Sequence, residues 1–340
     1  MRKLFVTGGA GFIGSAFIRL VLAARPDCEL VNFDALTYAG NPDNLIGLDD
    51  ARHRFVRGDI CDRAGLLAAL AADTDAIINF AAESHVDRSI TSADEFLRTN
   101  VLGTQVLLDA ARARGVERFV QISTDEVMGS LPEDEHAFFT EESPFAPNSP
   151  YAASKAAAEH LVRAAHHTHG LDTVSTRCGN NYGPRQFPEK LIPLFIANAL
   201  NDEPLPVYGD GQNVRDWIYV DDHCRAILLA LEHGTSGATY NIGARNERRN
   251  LEVVESLLGA LGKPPTLIRY VKDRPGHDRR YAIDPTKIET ELGWRPVETW
   301  ASGLRKTIQW YADNPEWIAR ARSGAYRAYY AQQYGAEVGA

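Results

Sequence analysis

The chain has 340 residues, 44% hydrophobic and 24% charged, enough apolar content for a sizeable core and enough length for two domains or one large α/β unit. With 36 basic against 45 acidic residues its net charge is −9, which argues against a nucleic-acid partner, and it has no run of roughly 18 apolar residues to span a membrane. The opening MRKLFVTGGAG has no apolar run long enough for a secretory leader, and four scattered cysteines without a CxxC pair read as free thiols, so a cytoplasmic protein is expected.

Lys3–Thr7 is a short apolar strand that runs into Gly8, Gly11 and Gly14, and a helical pattern follows at SAFIRLVLAA. Strand, glycine turn and helix is the context that a dinucleotide site requires. Gly8 allows the tight turn, Gly11 lets backbone approach a pyrophosphate, and Gly14 lets the helix pack close to the strand. A second strand, CELVNFDAL, contains Asp34, about 20 residues past the glycines, where a ribose-binding acid belongs. An acid there favours NAD over NADP, whose 2′-phosphate it repels. RFVRGDI is read as a third strand that Asp59 and Ile60 close near an adenine, and DAIINFAAESHV as a buried fourth.

Residues 93–115 are read as one long helix stopped by Gly115, and VERFVQ leads into a fifth strand. This alternation predicts an α/β fold, a Rossmann-type doubly wound parallel sheet with its ligands beyond the carboxyl ends of the strands. Ser84, Ser123, Thr124, Asp125 and Glu126 all follow strand ends and should share one crevice. Ser149 is a good N-cap and Pro150 suits a first turn, which puts Tyr151 and Lys155 one turn apart on one face of the next helix. That helix is alanine-rich on more than one side, and 93–115 is apolar around Val101, Val106 and Leu107. A homodimer through helices near 93–115 and 150–169 is therefore expected, with burial inside one chain as the competitor.

After LDTVSTR, another strand, the chain becomes rich in loops. The expected division is a dinucleotide domain over 1–178, with return segments near 216–243, and a smaller interleaved substrate domain over 179–330. None of the ten histidines forms an HExxH pattern, and His166, His167 and His169 fall mainly on a solvated helix face, so no metal site is expected.

Tyr151-x-x-x-Lys155 carries the chemistry. A tyrosine base must lose a proton that it ordinarily holds to a pKa near ~10. A nearby ammonium and a cationic nicotinamide both favour the phenolate, and Thr124 can bond the same substrate oxygen. The glycine fingerprint with this pair resembles the extended short-chain dehydrogenase/reductase family. The phrases AAESHVDRSI, STDEV, YAASKAAAEH, NNYGPRQFPEKLIP, YGDGQNVRDW and DRPGHDRRYAID are similar to the sugar-nucleotide 4,6-dehydratase branch of that family, over nearly the whole chain.

The resemblance implies NAD as cofactor and dTDP-glucose as substrate. It implies that Tyr151 takes the C4 hydroxyl proton, Glu126 removes the C5 proton and Asp125, kept protonated, releases the C6 hydroxyl as water. Two adjacent carboxyls serve this when their environments push their pKa values apart. It carries Phe12, Ile13, Asp34, Asp59, Ile60, Ala81, Ala82, Thr99, Tyr151, Lys155 and Asn181 to the cofactor. It carries Ser84, Thr124, Asn180, Lys190, Leu191, Pro206, Tyr208, Arg215, Asn250, Arg274 and His277 to the sugar nucleotide. Lys190, Arg215 and Arg274 are read as lying in polar loops, where they can supply charge-assisted bonds to a diphosphate. His85 is read as structural.

Two residues depart from the family pattern. Met128 stands where tyrosine is usual, which puts rate or substrate tolerance in question, and Gly179 stands where serine or cysteine is commoner. A UDP-hexose epimerase, a dehydratase on another nucleotide and a non-catalytic dinucleotide sensor are the competing readings. The Asp125–Glu126 pair speaks against an epimerase, which needs no elimination.

Overall fold

The structure, a computed structural model, describes residues 1–133 and 136–323. The end of the expected substrate domain, 324–330, lies outside the described residues.

The first half alternates as its sequence predicts. Strands β1 (Lys3–Thr7), β2 (Glu29–Asp34), β3 (His53–Arg57), β4 (Ala76–Asn79), β5 (Arg118–Thr124) and β6 (Asp172–Cys178) are separated by helices. The helices are α1 (Phe12–Ala24), α2 (Arg63–Ala69), α3 (Val86–Thr91), α4 (Asp94–Phe96), α5 (Thr104–Arg114) and α6 (Pro150–His169). The central strands are buried because helices cover both faces, as in AIIN of β4, where every residue is buried, Asn79 included. On one face α1 packs Phe17, Ile18 and Val21 into a core with the sheet, and on the other Leu66, Leu107 and Val162 fill a second core.

The second half is less regular. It holds β7 (Asn180–Tyr182), α7 (Leu191–Leu200), β8 (Leu205–Tyr208), β9 (Val214–Tyr219), α8 (Val220–His233), β10 (Thr239–Ile242), β11 (Glu247–Arg249), α9 (Asn250–Leu261) and β12 (Ile268–Val271). Helices α10 (Thr286–Glu291), α11 (Trp300–Asp313) and α12 (Pro315–Ala321) complete it. Helix α8 packs beside α1, its Ile227 and Leu231 joining the same core, and β10 pairs with β6. The main sheet thus has seven parallel strands in the order β10-β6-β5-β4-β1-β2-β3. Its order reverses between β1 and β4, and a doubly wound sheet opens a crevice at such a point. A three-stranded sheet, β11-β9-β7, and a two-stranded one, β12-β8, stand beyond the carboxyl ends. They rest on a separate core of α7, α9, α11 and α12, with Ile192, Trp217, Val254 and Tyr311 at its centre.

The long helix expected over 93–115 is interrupted. Leu97–Gly103 winds as a π-helix between α4 and α5, and Gly115 then ends α5 in the left-handed conformation. A π turn takes in an extra residue and needs no proline to mark it, so the sequence does not announce it. It presents Thr99 to the cleft and Asn100 to its neighbours: the Asn100 amide donates to Ser154 Oγ at 2.8 Å and to the Glu83 carbonyl at 2.9 Å. The dimer expectation changes in detail here. Val106 and Leu107 are buried within the chain, whereas Leu97 and Leu102 are 53% and 52% exposed. Among the described residues no helix is long and apolar enough to cross a membrane.

Candidate active site

The glycine turn between β1 and α1 is built by close approach. Gly8 has φ +68° and a Cβ there would lie 2.6 Å from the Ala81 nitrogen, while a Cβ on Gly14 would lie 2.4 Å from the Gly8 carbonyl oxygen. Gly11 caps α1 with no side chain occupying the helix N-terminus, which leaves its N–H groups for an anion. Asp34, at the end of β2, accepts from Ala10 N at 2.9 Å and Leu36 N at 2.8 Å. It therefore ties the glycine turn to β2 as well as facing the cleft. Burial raises its pKa, and those two backbone bonds oppose the rise.

One cleft gathers every residue expected at the cofactor and substrate. Gly8, Gly11, Phe12, Ile13 and Gly14 come from the β1–α1 turn, and Asp34 from β2. Asp59 and Ile60 lie in the turn beyond β3, which ends three residues earlier than the reading RFVRGDI has it. Ala81, Ala82 and Ser84 follow β4, and Thr99 sits on the π turn. Asn180 and Asn181 come from β7, Lys190 and Leu191 from the start of α7, Pro206 and Tyr208 from β8, and Asn250 from the start of α9. Arg274 and His277 come from the loop after β12.

Thr124 ends β5, and Asp125 and Glu126 open the following single turn. The Thr124 hydroxyl donates to Asp125 Oδ1 at 3.3 Å and accepts from Glu126 N at 3.3 Å. Asp125 is buried, and burial followed by the charge of Glu126 raises its pKa well above the carboxylate range, with Arg215 opposing. Burial also raises Glu126, but Arg274, Lys190 and Arg215 all pull it back. The pair thus has one member held as an acid and one facing three cations.

Tyr151 and Lys155 enter the same cleft from α6, whose start is fixed by Ser149 Oγ accepting from Ala152 N at 3.1 Å and by Pro150 in its first turn. Lys155 Nζ donates to the Ile122 carbonyl at 2.5 Å, and burial lowers its pKa to about 8 against the opposing charge of Glu159. Burial, Glu126 and Cys178 push Tyr151 well above its ordinary pKa, with a hydrogen bond to Thr124 opposing. The protein's own groups therefore favour the phenol, and a cation bound in the cleft would be needed to release its proton.

Arg215 departs from its expected setting. It does not lie in a polar loop but is buried on β9, stacked over the Tyr281 ring at 4.3 Å and donating to the carbonyls of Val214 and Asp278. His85 caps α3, its Nδ1 accepting from Arg88 N at 3.4 Å, and burial keeps its pKa well below the ordinary value. Met128 packs in an apolar cluster with Val127, Phe139, Ala156, Tyr281 and Ile283, its sulfur 3.7 Å from Arg177 Nη1. A Cβ at Gly179 would lie 2.7 Å from the Asp216 carbonyl oxygen, so glycine lets this segment approach β9 closely.

Sequence reasoning missed Asp87 and Glu189, which also line the cleft. Their signal was faint: each is one charge in a polar stretch, and each finds its partners far along the chain.

A family model described as GDP-mannose 4,6 dehydratase matches residues 5–307. The chain belongs to this family. Among its relatives, the dTDP-glucose 4,6-dehydratase of Neisseria meningitidis serogroup B is 52% identical, covering 96% of this chain and 98% of that protein. The dTDP-glucose 4,6-dehydratase of Streptomyces niveus is 54% identical over 93% of this chain and 94% of that one. The crystal structure of a family member from Streptomyces venezuelae, a dTDP-glucose 4,6-dehydratase with NAD bound, superimposes with a TM-score of 0.91 at 54% identity, covering 94% of this chain and 99% of that one.

Proposed function

We propose that the protein is an NAD-dependent dTDP-glucose 4,6-dehydratase, a lyase that converts dTDP-glucose to dTDP-4-keto-6-deoxyglucose and water. The observation that carries this is the pair Asp125–Glu126, a buried acid beside a carboxyl facing cations, in one cleft with Tyr151 and Lys155. Relatives at 52% and 54% identity carry that name, and one at 54% identity was solved with NAD.

The residues fit NAD. Gly8, Gly11 and Gly14 leave a cradle that side chains would fill, and the open N-terminus of α1 suits a pyrophosphate. Phe12, Ile13, Asp34, Asp59, Ile60, Ala81, Ala82, Thr99, Tyr151, Lys155 and Asn181 would complete its site. When bound, it takes a hydride from the sugar and returns it, and it brings a positive charge beside Tyr151. Tyr151 accepts the C4 hydroxyl proton, with Thr124 bonding the same oxygen and Lys155 supporting the phenolate. The C4 ketone acidifies the C5 proton, which Glu126 removes. Asp125 gives its proton to the departing C6 hydroxyl, so the leaving group is water rather than hydroxide.

Ser84, Asn180, Lys190, Leu191, Pro206, Tyr208, Arg215, Asn250, Arg274 and His277 hold the sugar nucleotide in this scheme, the cations facing its diphosphate. Residues 1–178, with returns near 216–243, serve the cofactor, and 179–330 mainly serve the substrate. The enzyme works in the cytoplasm, where reducing conditions keep thiols such as Cys61 free. It is a homodimer, because Leu97 and Leu102 are exposed on a helical segment that packs along α6, and they need a cover.

The test is incubation with dTDP-glucose, UDP-glucose and GDP-mannose, followed by mass analysis of the products. Loss of water from dTDP-glucose is expected. An isomer of unchanged mass would identify an epimerase, and dehydration of GDP-mannose alone would move the specificity to guanine.

A further inference from the structure

Four of the five residues from Ser84 to Arg88 touch the opposite wall of the cleft. The Ser84 carbonyl accepts from Lys190 Nζ at 2.8 Å, His85 Nε2 lies 3.8 Å from Glu189 Oε2, and Arg88 Nη2 donates to that same oxygen at 3.4 Å. Asp87 bridges to two side chains at once. Its Oδ2 accepts from the Tyr208 hydroxyl at 3.1 Å and its Oδ1 from Arg274 Nη1 at 3.2 Å.

We propose that Asp87 is a positioning residue for the diphosphate of the sugar nucleotide, holding Tyr208 and Arg274 in place from the cofactor side of the cleft. Tyr208 and Arg274 come from β8 and from the loop after β12, and Asp87 ties both to α3 across 121 and 187 residues of sequence. The Tyr208 ring also meets the His277 ring edge-on at 6.1 Å, and His277 Nδ1 is itself paired with Asp273 Oδ1 at 2.6 Å, so Asp87 and Asp273 between them hold three side chains that line the cleft.

The hydrogen bonding of Arg274 points the same way. Its Nη1 is committed to Asp87, while its Nε is buried and has no hydrogen-bond partner among the described residues. A guanidinium gripped at one corner presents its remaining N–H edge in a fixed plane, the arrangement that binds a phosphate through two parallel bonds. Burial works against the Arg274 charge, but Asp87, Glu126 and Tyr281 outweigh it and keep the group cationic. Pre-fixing such a side chain removes the ordering cost that binding would otherwise carry.

Asp87→Asn keeps the shape and removes the charge, and Asp87→Ala removes both contacts. The dissociation constant of dTDP, measured by calorimetry on the NAD-loaded protein, is expected to rise about tenfold in Asp87→Asn and further in Asp87→Ala, in line with loss of a bond to a charged group. KM for dTDP-glucose rises in step, kcat stays within about twofold, and bound NAD and melting temperature are unchanged. Thymidine, which lacks the diphosphate, binds the variants and the unaltered protein alike. Unchanged or tighter dTDP binding, an equal loss of thymidine affinity, or a fall in kcat at constant KM overturns the assignment. If Asp87→Ala does not fold, the isosteric Asp87→Asn carries the test alone.

The choice of dTDP rests on the proposed function. Failure of that reading shows separately, as an unaltered protein that does not dehydrate dTDP-glucose. The comparison is then made with GDP and UDP, and the same outcomes decide for or against Asp87.

Discussion

At the scale of single residues, Asp125 and Glu126 share a turn but not an environment. Burial and the like charge of Glu126 hold the first well above the carboxylate range, while burial raises the second against the opposing pull of Arg274, Lys190 and Arg215. That asymmetry is what separates an eliminating enzyme from one that only oxidises and reduces at C4. Asp125→Asn combined with Glu126→Gln is expected to retain NAD and to stop water loss by at least 100-fold, the lower end of what general acid–base groups contribute. A 4-keto sugar that keeps its 6-hydroxyl should accumulate with the absorbance of reduced nicotinamide. Dehydration at the original rate would refute these roles. Tyr151 and Lys155 were legible because a spacing of four on a capped helix fixes their relation locally. Asp87 was not, because Tyr208 and Arg274 lie 121 and 187 residues away and no local pattern announces the bond. Met128 looked like a disturbance of the acids only because sequence shows adjacency and not direction; its side chain lies in a separate apolar cluster.

At the scale of elements, α6 sets the pH range. Lys155 is buried near its start, with Glu159 one turn further on, and Glu159 is itself paired with Arg177 Nε at 3.0 Å. Burial lowers the Lys155 pKa to about 8, so the ammonium is present below that pH and lost above it. An activity that needs the ammonium therefore falls as pH rises through about 8. Glu159 opposes the depression, so Glu159→Gln, which keeps an acceptor for Arg177, should move this alkaline limb to lower pH in a profile of kcat at saturating substrate. A limb that stays in place or moves upward would count against the coupling. The π turn between α4 and α5 is the counter-example to legibility: its apolar spacing matches a continuous helix, and only the placement of Thr99 and Asn100 reveals the extra residue.

At the scale of the whole molecule, the strand–helix alternation of the first half made the parallel sheet readable, because periods of strand and helix differ so sharply. The small sheets of the second half have strands of three to six residues, too short for a pattern, and they depend on partners elsewhere. The exposed pair Leu97 and Leu102 gives the proposed homodimer its test. Leu97→Glu with Leu102→Glu should shift the protein to a monomer in sedimentation velocity, while intrinsic NAD content is retained. A double variant that sediments as the unaltered protein does would place the contact elsewhere.

The pairing of β10 with β6 has a consequence for how the chain is made. Until Thr239–Ile242 has left the ribosome, the outer side of β6 is an open row of backbone donors and acceptors, and α8 is not yet beside α1. About 60 residues must be synthesised after Cys178 before the last strand arrives, an interval of several seconds at ordinary elongation rates. During that time the half-built sheet can pair with a neighbouring nascent chain. The return strand that completes the fold therefore also sets how long that edge stays open.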